Sequence, residues 1–222
     1  MLRIALAVTV VLASGCVTDA SSRRLLDGLK AGSVSAELLA ADVTLVTASG
    51  PVKGRDAVAA GLAALKPSAA VDAHHDVARV ALADQSLVFA KSDGQGHVTT
   101  VLVFPPGGDD PVPPGVKAYQ DAWTKAAPYA LLELAWSARG VYQDPLSEAH
   151  GRAELGRMIA DFHKAYTDLS MANRGPLQAL PGGYVTFGWE FHMGATVLKG
   201  FDVGFLDDEG KLALISGFFS PR

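Results

Sequence analysis

Cysteine is almost absent from this chain: Cys16 is the only one in 222 residues, so no disulfide can form within it. Positive charge is not in excess either. Nineteen Lys+Arg against 23 Asp+Glu give a net charge of -4, with no basic stripe and no arginines interleaved with aromatics, which argues against a nucleic-acid partner. No segment after the first sixteen residues is long and apolar enough to cross a bilayer as a helix. Gly-x-Ser-x-Gly, a phosphate loop and a dinucleotide fingerprint are all missing, so nothing points to an organic cofactor. The histidines do not make a metal site. His74 and His75 are adjacent on an expected strand and point to opposite faces, while His163 on a helix and His192 on a strand lack ligand spacing; His150 reads as a surface loop residue. Asp207-Asp208-Glu209-Gly210 has the composition of a hairpin turn and lacks the spaced oxygens of a calcium loop.

What is present begins at the N-terminus. Met1-Leu2-Arg3 is a short basic start, Ile4 to Ala13 is an apolar run, and Ala13-Ser14-Gly15-Cys16 places small residues before the cysteine. The run is too short for a membrane span and reads as a secretory signal. The pattern resembles a bacterial lipobox, with Leu12 one place further from the cysteine than usual. That resemblance implies cleavage before Cys16 and acylation there, which would anchor the protein in the cell envelope. Val17 in place of an aspartate favours the outer membrane in a Gram-negative host. The alternative is an ordinary signal-peptide cysteine in a freely secreted protein. Removal of residues 1-16 leaves about 206 residues, enough for one large or two small domains.

The chain contains one pattern twice. Gly54-Arg55 opens a helical segment to Leu65, and Gly151-Arg152 opens another to Phe162. A short strand precedes each, Val43–Thr47 and Gly140–Asp144. A β-rich stretch follows each: Val77 to Leu82, Ser86 to Lys91 and Val98 to Phe104 in the first, Tyr184 to His192, Thr196 to Leu206 and Lys211 to Phe219 in the second. Helix precedes each copy, through Leu25, Leu26 and Leu29 and through Val116, Tyr119, Trp123, Leu131, Leu132 and Leu134, the second stripe broken near Pro128. The order is α+β and not alternating βαβ. Pro105 to Gly115 is rich in proline and glycine and reads as a linker. The domains expected are therefore a degenerate one over 20-104 and a fuller one over 116-222. The first is expected to lack its last strand and to depend on its neighbour. In Thr196 to Leu206 both faces are apolar, with Val197, Phe201, Val203 and Phe205 on one and Leu198, Gly200, Gly204 and Leu206 on the other. Helices can cover one face; the other copy, or a second chain in a homodimer, must cover the other.

Two aspartates stand out. Asp144 shares a strand face with Tyr142 and precedes Pro145. Asp202 lies mid-strand between Gly200 and Gly204, where a carboxylate is costly unless hydrogen-bonded or protonated. Tyr119 is placed to reach the same cavity, and Trp123, Phe162, Phe187 and Trp189 would wall it. A tyrosine and two carboxyls in an apolar cavity suit enolisation: one ionised aspartate moves a proton beside a carbonyl, while a tyrosine hydroxyl and a neutral carboxylic acid donate to the developing oxyanion. The plainer alternatives are that Asp144 only closes a turn, as Asp-Pro often does, and that Asp202 only accepts a structural hydrogen bond.

The order Tyr142 to Pro145, Gly151-Arg152, Tyr184 to His192 and Gly200 to Phe219 resembles the SnoaL-like branch of the nuclear transport factor 2-like superfamily, whose fold is an α+β cone. In ketosteroid isomerase, a member of that superfamily, the base is an Asp-Pro at the end of this strand, which corresponds to Asp144. The neutral acid lies in a strand of the form Asp-Val-x-x-Phe-Asp-x-x-Gly-Arg-Ile, matched here by Asp202 to Leu212, and its tyrosine falls near Tyr119 with a one-residue gap. The resemblance spans roughly residues 114 to 219. It implies tandem cones, the second carrying the pocket. In the first copy Thr47 falls opposite Asp144 and Thr100 opposite Asp202, so that copy has lost both carboxyls.

These readings leave three functions open. The leading one is a lipoprotein whose second domain binds a small apolar molecule. The others are a cofactor-independent isomerase or polyketide-cyclase-like enzyme acting beside a carbonyl, and an assembly module without catalysis. The Cys16 reading has its own test. Full-length protein made in a bacterium should partition with membranes and incorporate a fatty-acid probe, and Cys16→Ser should abolish the labelling; equal labelling of parent and variant would refute lipidation.

Overall fold

The computed structural model describes residues 20-108 and 110-219, and the segment read as a signal sequence, with Cys16, lies outside them. The architecture is α+β: two curved, mixed six-stranded sheets, each with helices on one face and the other sheet on the other. The first half runs α1 (Ala20–Lys30), a single 3-10 turn (Ala36–Leu38), β1 (Leu39–Thr47), β2 (Gly50–Lys53), α2 (Arg55–Ala63), β3 (Asp72–His74), β4 (Val77–Ala81), β5 (Leu87–Ser92) and β6 (Val98–Phe104). The second runs α3 (Pro114–Thr124), α4 (Pro128–Ala135), β7 (Trp136–Asp144), β8 (Ser147–His150), α5 (Gly151–Ala165), β9 (Leu169–Leu180), β10 (Tyr184–Met193), β11 (Thr196–Leu206) and β12 (Leu212–Phe219). The strand orders are β2-β1-β6-β5-β4-β3 and β8-β7-β12-β11-β10-β9, and in each sheet one central pair is parallel, β1 with β6 and β7 with β12.

The repeated Gly-Arg pair has a structural cause. Gly54 and Gly151 take φ of 92° and 78°, the left-handed region that a β-carbon disfavours, at the step from hairpin to helix. Arg55 then donates to the carbonyl of Leu39, and Arg152 donates twice to that of Trp136, in each case to the first residue of the strand sixteen places earlier. Each arginine thus ties its helix to the start of the parallel strand. Glu154 accepts from the backbone N–H of His150 and closes the N-terminus of α5. Pro114 begins α3, inside the stretch that composition marks as linker; a proline suits the first turn of a helix because its missing N–H would have no partner there.

Two expectations about the first half need correction. It does not lack a strand, since its sheet has six like the other. What differs is length: β3 has three residues where its counterpart β9 has twelve, too few to show alternation. β9 also escapes a sequence reading because Gly175-Pro176 interrupts it, which its place at the sheet edge tolerates. The second correction concerns Thr100. Thr47 pairs with Gly50 as Asp144 pairs with Ser147, which fixes the equivalence of β1 and β7. Following the registers outward, Val103 occupies the place of Gly217 and Val88 the place of Asp202, whereas Thr100 lies one strand away on β6.

Alternation sorts the second sheet into two faces. Leu212, Ile215, Val185 and Phe187 enter the core under α3, α4 and α5. Val203, Phe218, Leu180 and Tyr184 point away from it and meet Val46, Val77, Phe89, Leu102 and Phe104 of the first sheet. The sheet face that a homodimer would use is thus occupied by the same chain. Phe104 and Phe218 are fully buried there, and Arg79 lays its guanidinium 4.0 Å from the Phe201 ring centre. Each buried aromatic or aliphatic side chain contributes roughly 1.5–3 kcal/mol, so separating the sheets is costly. Residues 20-108 expressed alone should therefore be unstable or self-associating, although the sheet is complete. A monomeric fragment with a cooperative urea transition matching that of the full chain would contradict this.

Candidate functional site

The two aspartates lie at one level of three neighbouring strands. Asp202 on β11 is paired with Gly217 on β12, and Gly217 follows Ser216, the partner of Gln143 on β7. Asp144 therefore stands beside Gly217 on its other side. With strands about 4.8 Å apart, two carboxyls flank one glycine. A β-carbon at that glycine would crowd both, coming within 3.1 Å of Asp202 Oδ1 and 3.4 Å of Asp144 Cβ. Both side chains point into a cavity of about 320 Å³.

The two carboxyls have unlike surroundings. Asp144, 7% exposed, is surrounded by donors. Its Oδ1 accepts from the backbone N–H of Leu146 and Ser147, both at 2.7 Å, and from the Ser147 hydroxyl at 3.1 Å. Its Oδ2 accepts from the Tyr142 hydroxyl at 2.5 Å. Every one of these groups donates to it, so the carboxyl acts here as an acceptor only. Oδ1 closes the Asp-Pro turn, while Oδ2 meets the Tyr142 hydroxyl.

Asp202 is 3% exposed and has one good donor, the Trp189 indole N–H, 2.7 Å from Oδ1. The Tyr119 hydroxyl stands 3.5 Å from Oδ2, at the limit of a hydrogen bond. Burial pushes the Asp202 carboxyl up to about 7; the nearby Asp144 charge adds to the rise, while Trp189 and Tyr119 oppose it. Because Oδ1 accepts from the indole, a proton on this carboxyl belongs on Oδ2, facing Tyr119. Burial also raises Tyr119 and Tyr142 well above the usual phenol range, which keeps both as neutral donors.

Tyr119 and Trp123, one helical turn apart on α3, reach the cavity from above the sheet. Tyr142 and Asp144 reach it from β7, Phe162 from α5 and Trp189 from β10. Trp189 arrives at Asp202 across Gly200, its cross-strand partner, where a β-carbon would meet the indole at 2.5 Å. Phe187 does not line the cavity; it packs in the core beneath. Met158, Met171, Phe191, Leu198 and Phe219 complete the apolar wall, with Leu146 and Ser147 after the Asp-Pro turn. Phe191 was legible as the next inward residue after Trp189. Gly200 and Gly217 were not, since a glycine gives no chemical signal of its own. Among the described residues no group of three or more His, Cys, Asp or Glu is placed to hold a metal ion.

Comparison with known proteins finds no matching family model and no curated relative. Solved structures do match. One is a SnoaL-like family protein from Agrobacterium tumefaciens, 24% identical over 48% of this chain and 95% of that one, with a TM-score of 0.44. Another, from Catenulispora acidiphila, has a ketosteroid isomerase-like fold and was solved with trimethylamine; it is 19% identical over 50% of this chain and 88% of its own, with a TM-score of 0.44. A third is an LEH-like epoxide hydrolase of M. tuberculosis, 16% identical over 48% of this chain and 80% of that one, with a TM-score of 0.39.

The Asp202 environment sets a pH dependence. Below about pH 3.8 the carboxyl is protonated whether the chain is folded or not. Between 3.8 and about 7 the folded chain keeps a proton that the unfolded chain has released, so each rise in pH weakens folding. Above about 7 both forms are ionised and the slope ends. The full effect is on the order of 4 kcal/mol. His74, which burial and the adjacent His75 hold down near 4, gives the opposite slope between 4 and 6.5. Urea unfolding of parent and Asp202→Asn across this range isolates the carboxyl: the variant should gain stability relative to the parent as pH rises from about 4 to about 7. A pH-independent difference would show that Asp202 ionises as an ordinary aspartate.

Proposed function

We propose that the chain is an exported lipoprotein of two SnoaL-like cones, held on the bacterial cell envelope through Cys16, whose second cone binds a small apolar molecule with one oxygen-bearing end. The observation that carries this reading is the cavity itself: an aromatic and aliphatic wall with two carboxyls and a tyrosine converging at one point. Its size is that of a small-ligand site, and its few polar groups are grouped so as to orient one end of a ligand. The first cone carries Thr47 and Val88 in the places of Asp144 and Asp202 and offers no such carboxyl pair. Binding is testable with 2-naphthol, a two-ring apolar probe with one hydroxyl. It should quench Trp123 and Trp189, and Asp202→Leu should weaken it about tenfold through the loss of one hydrogen bond. Quenching that is absent in the parent, or unchanged in the variant, would count against binding at this point.

The unlike surroundings of the carboxyls favour a second reading, proton transfer beside a carbonyl. Asp144, acceptor-only, would take a proton from the carbon next to a carbonyl. The released electron pair would move onto the carbonyl oxygen, where protonated Asp202 and Tyr119 would donate hydrogen bonds. The proton would return to the same carbon or to the γ carbon of an enone. Deuterium exchange into enones and polyketide-like ketones is the assay. Asp144→Asn should abolish exchange and keep binding, and Asp202→Asn, which retains a donor, should be milder than Asp202→Leu. Binding without exchange across varied ketones would leave the chain a binding protein.

A further inference from the structure

We infer that the tip of the β3–β4 hairpin in the first cone, His75 and Asp76, positions Asp144 from behind the sheet, so that the first cone is a working part of the site in the second. This rests on the reading of Asp144 and Asp202 as the pair that meets the ligand. His75 Nε2 lies 2.8 Å from the Asp144 carbonyl oxygen. A carbonyl can only accept, so Nε2 carries the proton and donates. One residue along the hairpin, Asp76 Oδ1 accepts from Gln143 Nε2 at 3.0 Å, and the same amide donates to Ser216 at 2.9 Å. The two residues that precede and adjoin the site on β7 and β12, Gln143 and Ser216, are thus locked together and to the first cone.

The hairpin is itself held firmly. Lys91 pairs with Asp76 Oδ2, and the Asp76 carbonyl accepts from the hydroxyls of Ser22 and Ser92. His74 packs its ring 4.6 Å from that of Phe218, the residue after Gly217. His75 also has φ of 49°, a left-handed conformation uncommon outside glycine, although histidine takes it more readily than most. Such strain persists where the surroundings over-determine it, and here it delivers the imidazole to the Asp144 carbonyl. The first cone has no carboxyl pair of its own, yet it touches the wall of the second cone's site at the strand end that carries Asp144.

The test uses the full chain with His75→Asn and His75→Gly. Asparagine and glycine both accept a positive φ, so the hairpin keeps its path while the imidazole is lost. Leu180→Ala is the control, because it trims the same interface without touching β7. The readout is the Asp202 titration followed by carboxyl 13C NMR, with urea unfolding alongside. Without His75 the end of β7 should relax toward the space vacated, away from Asp202. Retreat of a like charge by about 1 Å should lower the Asp202 midpoint by roughly 0.3 pH unit. Leu180→Ala should lower the urea midpoint and leave the Asp202 midpoint in place. The inference is overturned if the His75 variants titrate like the parent, or if Leu180→Ala moves the midpoint as far as they do. The readout needs no ligand, so a failure to find binding or exchange would bear on the proposed function and not on this one.

Discussion

Strands β11 and β12 carry apolar side chains on both faces, and neither face can be left in water. One is covered by α3, α4 and α5, which leave a cavity above the sheet. The other is covered by the sheet of the first cone through Phe89, Phe104, Phe218 and their neighbours. Much else follows from this double coverage. It joins the cones into one body, dries the strands that carry the carboxyls, and places a hairpin of the first cone behind the wall of the site.

Drying is what makes the carboxyls unlike. Asp202 sits mid-strand with an indole as its one close donor, and burial raises its carboxyl to about 7. Asp144 sits at a strand end, where the turn supplies two backbone N–H groups and a serine hydroxyl. The same residue type thus meets a different set of donors in each place, and its burial is compensated in one and not in the other. Two glycines make the arrangement possible. Gly217 keeps the gap between the carboxyls open, and Gly200 lets the Trp189 indole cross to Asp202.

The α+β order, the Gly-Arg helices and the two faces of β11 were legible in the sequence because each rests on periodicity or on a residue with one strong preference. The cavity residues Tyr119, Trp123, Tyr142, Asp144, Phe162, Trp189 and Asp202 were legible because strand alternation and helical spacing put them on a common side. Phe187 shared that alternation and yet lies beneath the cavity, since facing inward does not say how far along the core a ring sits. β9 was hidden by Gly175-Pro176, while the strand expected through His74 and His75 is β3, which stops at His74. The contact of His75 with Asp144 joins residues 69 places apart and left no pattern to read.

The central claim is that Asp202 stands neutral in a dry wall beside Asp144. Infrared difference spectroscopy measures this directly, since a protonated buried carboxyl has a C=O stretch well apart from that of a carboxylate. At about pH 6, below the raised Asp202 value and above the ordinary carboxylate range, the parent should show such a band and Asp202→Asn should lack it. A parent spectrum without the band at that pH, or a band that survives in Asp202→Asn, would contradict the account.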